Sequence, residues 1–132
     1  MGEGMEFVAV TSGIKVAVQS TFLEEYSDPE QKKWVFSYRV HIQNSSDRTV
    51  QLLNRHWIIT DGLGNEQEVK GAGVVGRQPV LPPGAEHSYV SGCPLPTSIG
   101  AMRGWYKMRG EDSELFDVEI PHFLLADPES FQ

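Results

Sequence analysis

Between Trp34 and Gln43 the chain alternates: Trp34, Phe36, Tyr38, Val40 and Ile42 fall on one side, while Ser37, Arg39, His41 and Gln43 fall on the other. Side chains alternate faces only in an extended chain, so this run is a strand with one buried face. Helical spacing is hard to find anywhere else, so strands must supply the core. Ile14, Val16, Val18 and Phe22 alternate with Lys15, Gln19 and Thr21 to give a second strand, joined to the first by the acidic, proline-broken loop EEYSDPEQKK. QLLNRHWIIT, beginning at Gln51, reads as a strand whose mixed faces call for a bulge or burial on both sides. DGLGN is a hairpin signal before the short strand EQEVK. Pro83 followed by Gly84 suits the two central positions of a type II turn. EHSYVSG, MRGWYKM and ELFDVEI supply three more strands, with GEDS as the hairpin between the last two. About seven short strands at such spacings predict an all-β fold, an antiparallel β-sandwich. The whole chain is read as a single domain, residues 1–132, with 1–6 and 127–132 as flexible ends and the FLL segment docked on the body.

One motif has the spacing of an α/β fingerprint and still fits an all-β reading. Gly71, Gly73 and Gly76 have the GxGxxG spacing of a dinucleotide fingerprint. That fingerprint needs a helix to open at its third glycine, so that N-terminal amides hold the pyrophosphate. Pro79, Pro82 and Pro83 follow too closely for a helix to form. Two readings of this loop stand side by side. In one, the amides from Gly71 to Gly76 form a nest for an anion such as a nucleotide pyrophosphate, assisted by the Arg77 guanidinium. In the other, the glycines serve a positive-φ connection across an edge of the sandwich, and a bare GxGxxG favours this one.

Charge and cysteine use narrow the function. The formal net charge of -7 repels phosphate backbones and anionic lipid, so nucleic acid is not an expected partner. The single Cys93 excludes an internal disulfide and a thiolate zinc site, and fits a reducing cytoplasm. MGEGMEF lacks the regions of a signal peptide, and no apolar run reaches the roughly 18 residues of a membrane span.

RHWIITDGLGN (55–65), VKGAGVVGRQPVLPPG (69–84), YVSGCPLPTSIGAMRGWYKM (89–108) and FDVEIPHFLL (116–125) together resemble the ApaG family, known from small bacterial proteins and as a domain of larger eukaryotic ones. The resemblance covers nearly the whole chain and implies an immunoglobulin-like, fibronectin type III-like sandwich. It also implies a link to cobalt and magnesium resistance and a gene neighbourhood shared with diadenosine tetraphosphate hydrolase. Its use inside an F-box protein and a DNA polymerase interacting protein implies a protein-binding module. Two positions depart from the expected pattern: His87 stands in place of an aromatic such as Phe, and Ser98 in place of Pro.

No catalytic constellation or cofactor is expected. Ser88 and Ser91 lie in a strand without a GxSxG elbow. His41, His56, His87 and His122 lack the short spacing of a zinc motif, so no metal site is assigned. His41 should face solvent beside Arg39, and His56 should hydrogen-bond a strand neighbour. Trp105 shares its strand face with Arg103 and Lys107, opposite Met102, Tyr106 and Met108. If the Met and Tyr face is buried, Trp105 is an interface anchor flanked by basic groups, or it packs against FLL. The expected partner is therefore a protein, with nucleotide or pyrophosphate as the alternative ligand and a homodimer through unpaired strand edges as a further expectation.

Overall fold

The computed structural model describes residues 5–131. Among them nine strands follow in order: β1 (Glu6–Thr11), β2 (Ile14–Phe22), β3 (Trp34–Asn44), β4 (Val50–Asp61), β5 (Glu66–Ala72), β6 (Val80–Leu81), β7 (Glu86–Leu95), β8 (Ile99–Gly110) and β9 (Leu115–Ala126). One sheet has the order β1-β2-β3-β7 and the other β5-β4-β8-β9, with β6 paired to β4. Every pairing is antiparallel, and the two sheets face each other across one core. This is the antiparallel sandwich that the alternation predicts.

The core follows the alternating pattern. Phe36, Tyr38, Val40 and Ile42 of β3 are buried with Ile14, Val16 and Val18 of β2, against Leu52, Trp57, Met102, Tyr106, Met108 and Phe123 of the other sheet. The Tyr38, Trp57 and Phe123 rings meet edge-on or tilted, with centroids 5.3 to 6.0 Å apart. Such side chains each contribute roughly 1.5–3 kcal/mol by leaving water.

Two bulges explain where period two breaks. Leu52 and Trp57 are both buried although they stand five positions apart, an odd offset, and the register of β4 against β8 slips between Leu52 and Asn54. This is the bulge read from the mixed faces of QLLNRHWIIT. A second slip, between Met102 and Gly104, sets two residues of β9, Pro121 and His122, against Arg103. Proline has no amide to donate to a ladder, which makes such a bulge a natural place for it.

Three expectations need correction. β1 was not anticipated, because Val8 and Val10 are exposed while Phe7 and Ala9 are half-buried, so apolar residues occupy both faces and hide the period. Glu6 belongs to this strand, which turns into β2 through Ser12 and Gly13, both at positive φ. FLL packs on the body as expected, with Phe123 and Leu125 buried, but it does so as the end of β9 and not as a tail, and Pro128–Phe131 form a 3-10 turn. The Pro83–Gly84 turn is as expected: Gly84 has φ 85°, and the Ala85 amide donates to the Pro82 carbonyl.

Candidate functional site

The glycine motif divides between a strand and a turn. β5 runs through Ala72, which places Gly71 in the ladder opposite Arg55 of β4. The Arg55 guanidinium lies over Gly71, where a Cβ would stand 2.7 Å from its Cζ. Arg55 Nη1 donates to the carbonyls of Ala72 (2.9 Å) and Gly73 (3.0 Å). Glycine at 71 thus leaves room for the cation that ties down the start of the loop.

The turn itself is closed by its own backbone. The Gly73 amide donates to the Leu53 carbonyl (2.8 Å), and Val74 and Arg77 exchange amide–carbonyl bonds of 2.8 and 3.0 Å. Val75 and Gly76 between them have φ 47° and 77°, the left-handed pair of a two-residue hairpin turn. Gly73 has φ 65°, and a Cβ there would stand 2.3 Å from the Arg77 carbonyl oxygen. The continuous nest expected from Gly71 to Gly76 is therefore not formed, because the Gly73 and Val74 amides point at carbonyls. Val74 is buried in the core, and only Val75, Gly76 and Arg77 form an exposed tip.

The face around Trp105 is built as its alternation predicts. Met102, Tyr106 and Met108 are buried, which turns Arg103, Trp105 and Lys107 outward. Trp105 is half-buried because His56 of β4 stacks on it, centroids 4.0 Å apart and planes 22° from parallel. This stack, rather than FLL, is what the indole packs against. Sequence reading missed it because residues 56 and 105 become partners only once β4 and β8 are in register. The polar groups nearby are paired: His56 Nε2 with Glu68 (2.5 Å), Lys107 with Asp117 (2.7 Å) and Arg103 with Glu66 (3.7 Å). Shallow hollows flank the indole. One, of about 430 Å³, is lined by Gly71, Ala72, Lys70, Arg55, His56, Lys107 and Trp105. The other, of about 500 Å³, is lined by Arg103, Trp105, Asp117, Glu119 and His122 among others. Gly71, Trp105 and Lys107, proposed separately from the sequence, thus border one hollow, and Arg103 borders the other.

Elsewhere, pairing of β3 with β7 brings His41 beside Ser88. His41 Nδ1 lies 2.6 Å from Ser88 Oγ, and its Nε2 lies 2.7 Å from Glu86 Oε1. This Ser–His–Glu row was invisible in the sequence, and it sits on an open sheet face that neither hollow beside Trp105 borders. Cys93 is buried, and burial pushes its thiol up to about 11. Burial also raises the Tyr89 and Tyr106 hydroxyls, which hydrogen-bond each other between the sheets. His87 is held below its ordinary value by burial and then by the Arg77 charge. Among the described residues no three of His, Cys, Asp and Glu converge as metal ligands. No helix among them is long and apolar enough to cross a membrane.

Comparison with known proteins fixes the relationship. A family model described as the ApaG domain matches residues 24–110. The chain belongs to the ApaG family. It is 55% identical over 123 residues to Protein ApaG of Brucella suis biovar 1, covering 93% of this chain and 95% of that one. It is 53% identical over 115 residues to Protein ApaG of Pseudomonas paraeruginosa, covering 87% and 91%. The crystal structure of a Bordetella pertussis protein described as ApaA superposes with a TM-score of 0.84 at 48% identity, over 94% of this chain and 98% of that one. The glycine turn and the Trp105 face both lie within residues 24–110, the part matched by the family model.

Proposed function

We propose that this ApaG-family protein is a noncatalytic, cytoplasmic protein-binding module of fibronectin type III-like form, which docks a partner on the outer face of β4 and β8. The observation that carries the reading is the Trp105–His56 stack, a flat aromatic ridge between two hollows and rimmed by paired charges. Interface energy concentrates in such aromatic anchors, and rim charges set orientation more than affinity. On this reading the family's association with cobalt and magnesium resistance works through a recognised protein.

The test is capture from native lysate on immobilised wild-type protein and on Trp105→Ala. A protein retained reproducibly by the wild type and lost with Trp105→Ala is the expected result. Failure to retain any protein, with both forms behaving alike, would sink the proposal. Light scattering on the same sample checks whether the partner is a second copy joined at a strand edge.

A second reading keeps the turn tip as a pyrophosphate or nucleotide site. It is supported by the Val75 and Gly76 amides, which have no internal partner among the described residues, and by the exposed Arg77 beside them. Titration of pyrophosphate into labelled protein distinguishes the two. Amide shifts confined to the tip and weakened by Arg77→Glu would favour the anion; a flat titration at millimolar ligand would remove it.

A further inference from the structure

A third hollow, of about 850 Å³, opens where β1, β2 and β9 meet the loop that follows β2. It shares no residue with the Trp105 face or the glycine turn, and its volume falls within the roughly 300–1,000 Å³ usual for small-molecule sites. Its apolar wall comes from three strands: Phe7 of β1, Phe22 of β2 and Leu124 of β9. The wall is held in place, since the Phe22 ring packs on buried Phe36 at 5.4 Å and Phe7 packs against the core.

The polar lining is one-sided. Ser20 Oγ donates to the Leu124 carbonyl (2.7 Å), and Ser27 Oγ donates to the Leu23 carbonyl while accepting the Val35 amide, both at 2.8 Å. These hydroxyls are committed to holding the walls together. What faces outward is a rim of carboxylates, Glu24 and Glu129 with Asp127 between the strands and the turn, its Oδ1 accepting the Glu129 amide (3.0 Å), and no Lys, Arg or His is among the described lining residues. None of the three carboxylates takes part in an ion pair among the described residues. They also do not converge as a metal-binding group, so the rim suits an extended cation better than a point ion. An aromatic wall attracts the same kind of ligand, because the face of a phenyl ring is the negative end of its quadrupole.

We propose that this hollow binds a small organic cation with an apolar body, of the arylalkylammonium class, with the body against Phe7, Phe22 and Leu124 and the ammonium at the carboxylate rim. The experiment titrates 4-phenylbutylammonium into full-length protein, with neutral 4-phenylbutanol and anionic 4-phenylbutyrate as matched probes, followed by methyl and aromatic NMR shifts. The cation should bind more tightly than the alcohol, the carboxylate should not bind, and the shifts should gather on Phe7, Phe22 and Leu124. Glu24→Gln combined with Glu129→Gln should weaken the cation by about fivefold while leaving the alcohol unchanged, as exposed charge pairs of this kind predict. Thr21→Trp, a substitution at the lining of the hollow that leaves the core alone, should weaken both. Equal affinity for all three probes, or no shift at these residues, overturns the proposal. Tighter binding by a blocked Phe-Lys peptide than by the free amine would assign it to a protein segment instead.

Discussion

At the scale of single residues, Arg55 explains the glycine motif better than a ligand does. Its guanidinium occupies the space that a side chain at 71 would need and holds the carbonyls of residues 72 and 73. Arg55→Ala should therefore destabilise the domain by roughly 1–3 kcal/mol, the range for charge-assisted bonds lost from partly buried carbonyls, measured by urea denaturation. Gly73→Ala should cost more than about 1 kcal/mol, since it combines a left-handed backbone with a Cβ pressed on the Arg77 carbonyl. Arg77→Ala, at an exposed tip, should stay within about 0.5 kcal/mol. The three glycines stood out in the sequence, whereas Arg55 did not, because nothing local announces that an arginine 16 positions earlier in the chain will lie across a glycine in the paired strand. Cys93 gives an independent check. With its thiol pushed up to about 11 by burial, native protein at neutral pH should react with iodoacetamide about a hundredfold more slowly than unfolded protein, as the smaller thiolate fraction requires.

At the scale of elements, the strands with one clean apolar face were legible and the irregular ones were not. β2 and β3 bury one alternating face each, so their periodicity alone placed them. β1 hid because its apolar residues lie on both sides of an edge, and the C-terminal half of β9 hid because Pro121 looks like a strand terminator until the bulge accommodates it. The His56–Trp105 stack and the row from Glu86 through His41 to Ser88 were out of reach for the same reason: cross-strand neighbours depend on register, which single-strand patterns do not fix. β7 and the glycine turn meet at His87, where burial and then Arg77 disfavour the charged imidazole. The sign follows from linkage. Above the ordinary value of 6.5 the residue is neutral in both states and costs nothing, and as pH falls below 6.5 the unfolded chain takes up the proton first, so stability drops. The denaturation midpoint of the wild type should fall between pH 7.5 and pH 5.5, and His87→Phe should reduce that fall. An unchanged slope in the variant would show that His87 does not carry it.

At the scale of the whole molecule, the sandwich keeps its three candidate features on separate surfaces. The glycine turn is stitched into the β4–β5 edge, the outer face of β4 and β8 carries the aromatic ridge, and the hollow at β1, β2 and β9 faces elsewhere. Trp105→Ala should cost about 1 kcal/mol or less, the scale of a cross-strand aromatic pair, while removing partner capture, so that stability and recognition part company in one variant. The account rests on the claim that the glycine loop is scaffold and that recognition lies elsewhere. Amide hydrogen exchange, read residue by residue with and without millimolar pyrophosphate, tests this most directly. The predicted result is slow exchange at Gly73, Val74 and Arg77, fast exchange at Val75 and Gly76, and no change on adding pyrophosphate. Fast exchange at all five, or slowing at the tip when pyrophosphate is present, would contradict the account and make the loop a binding site.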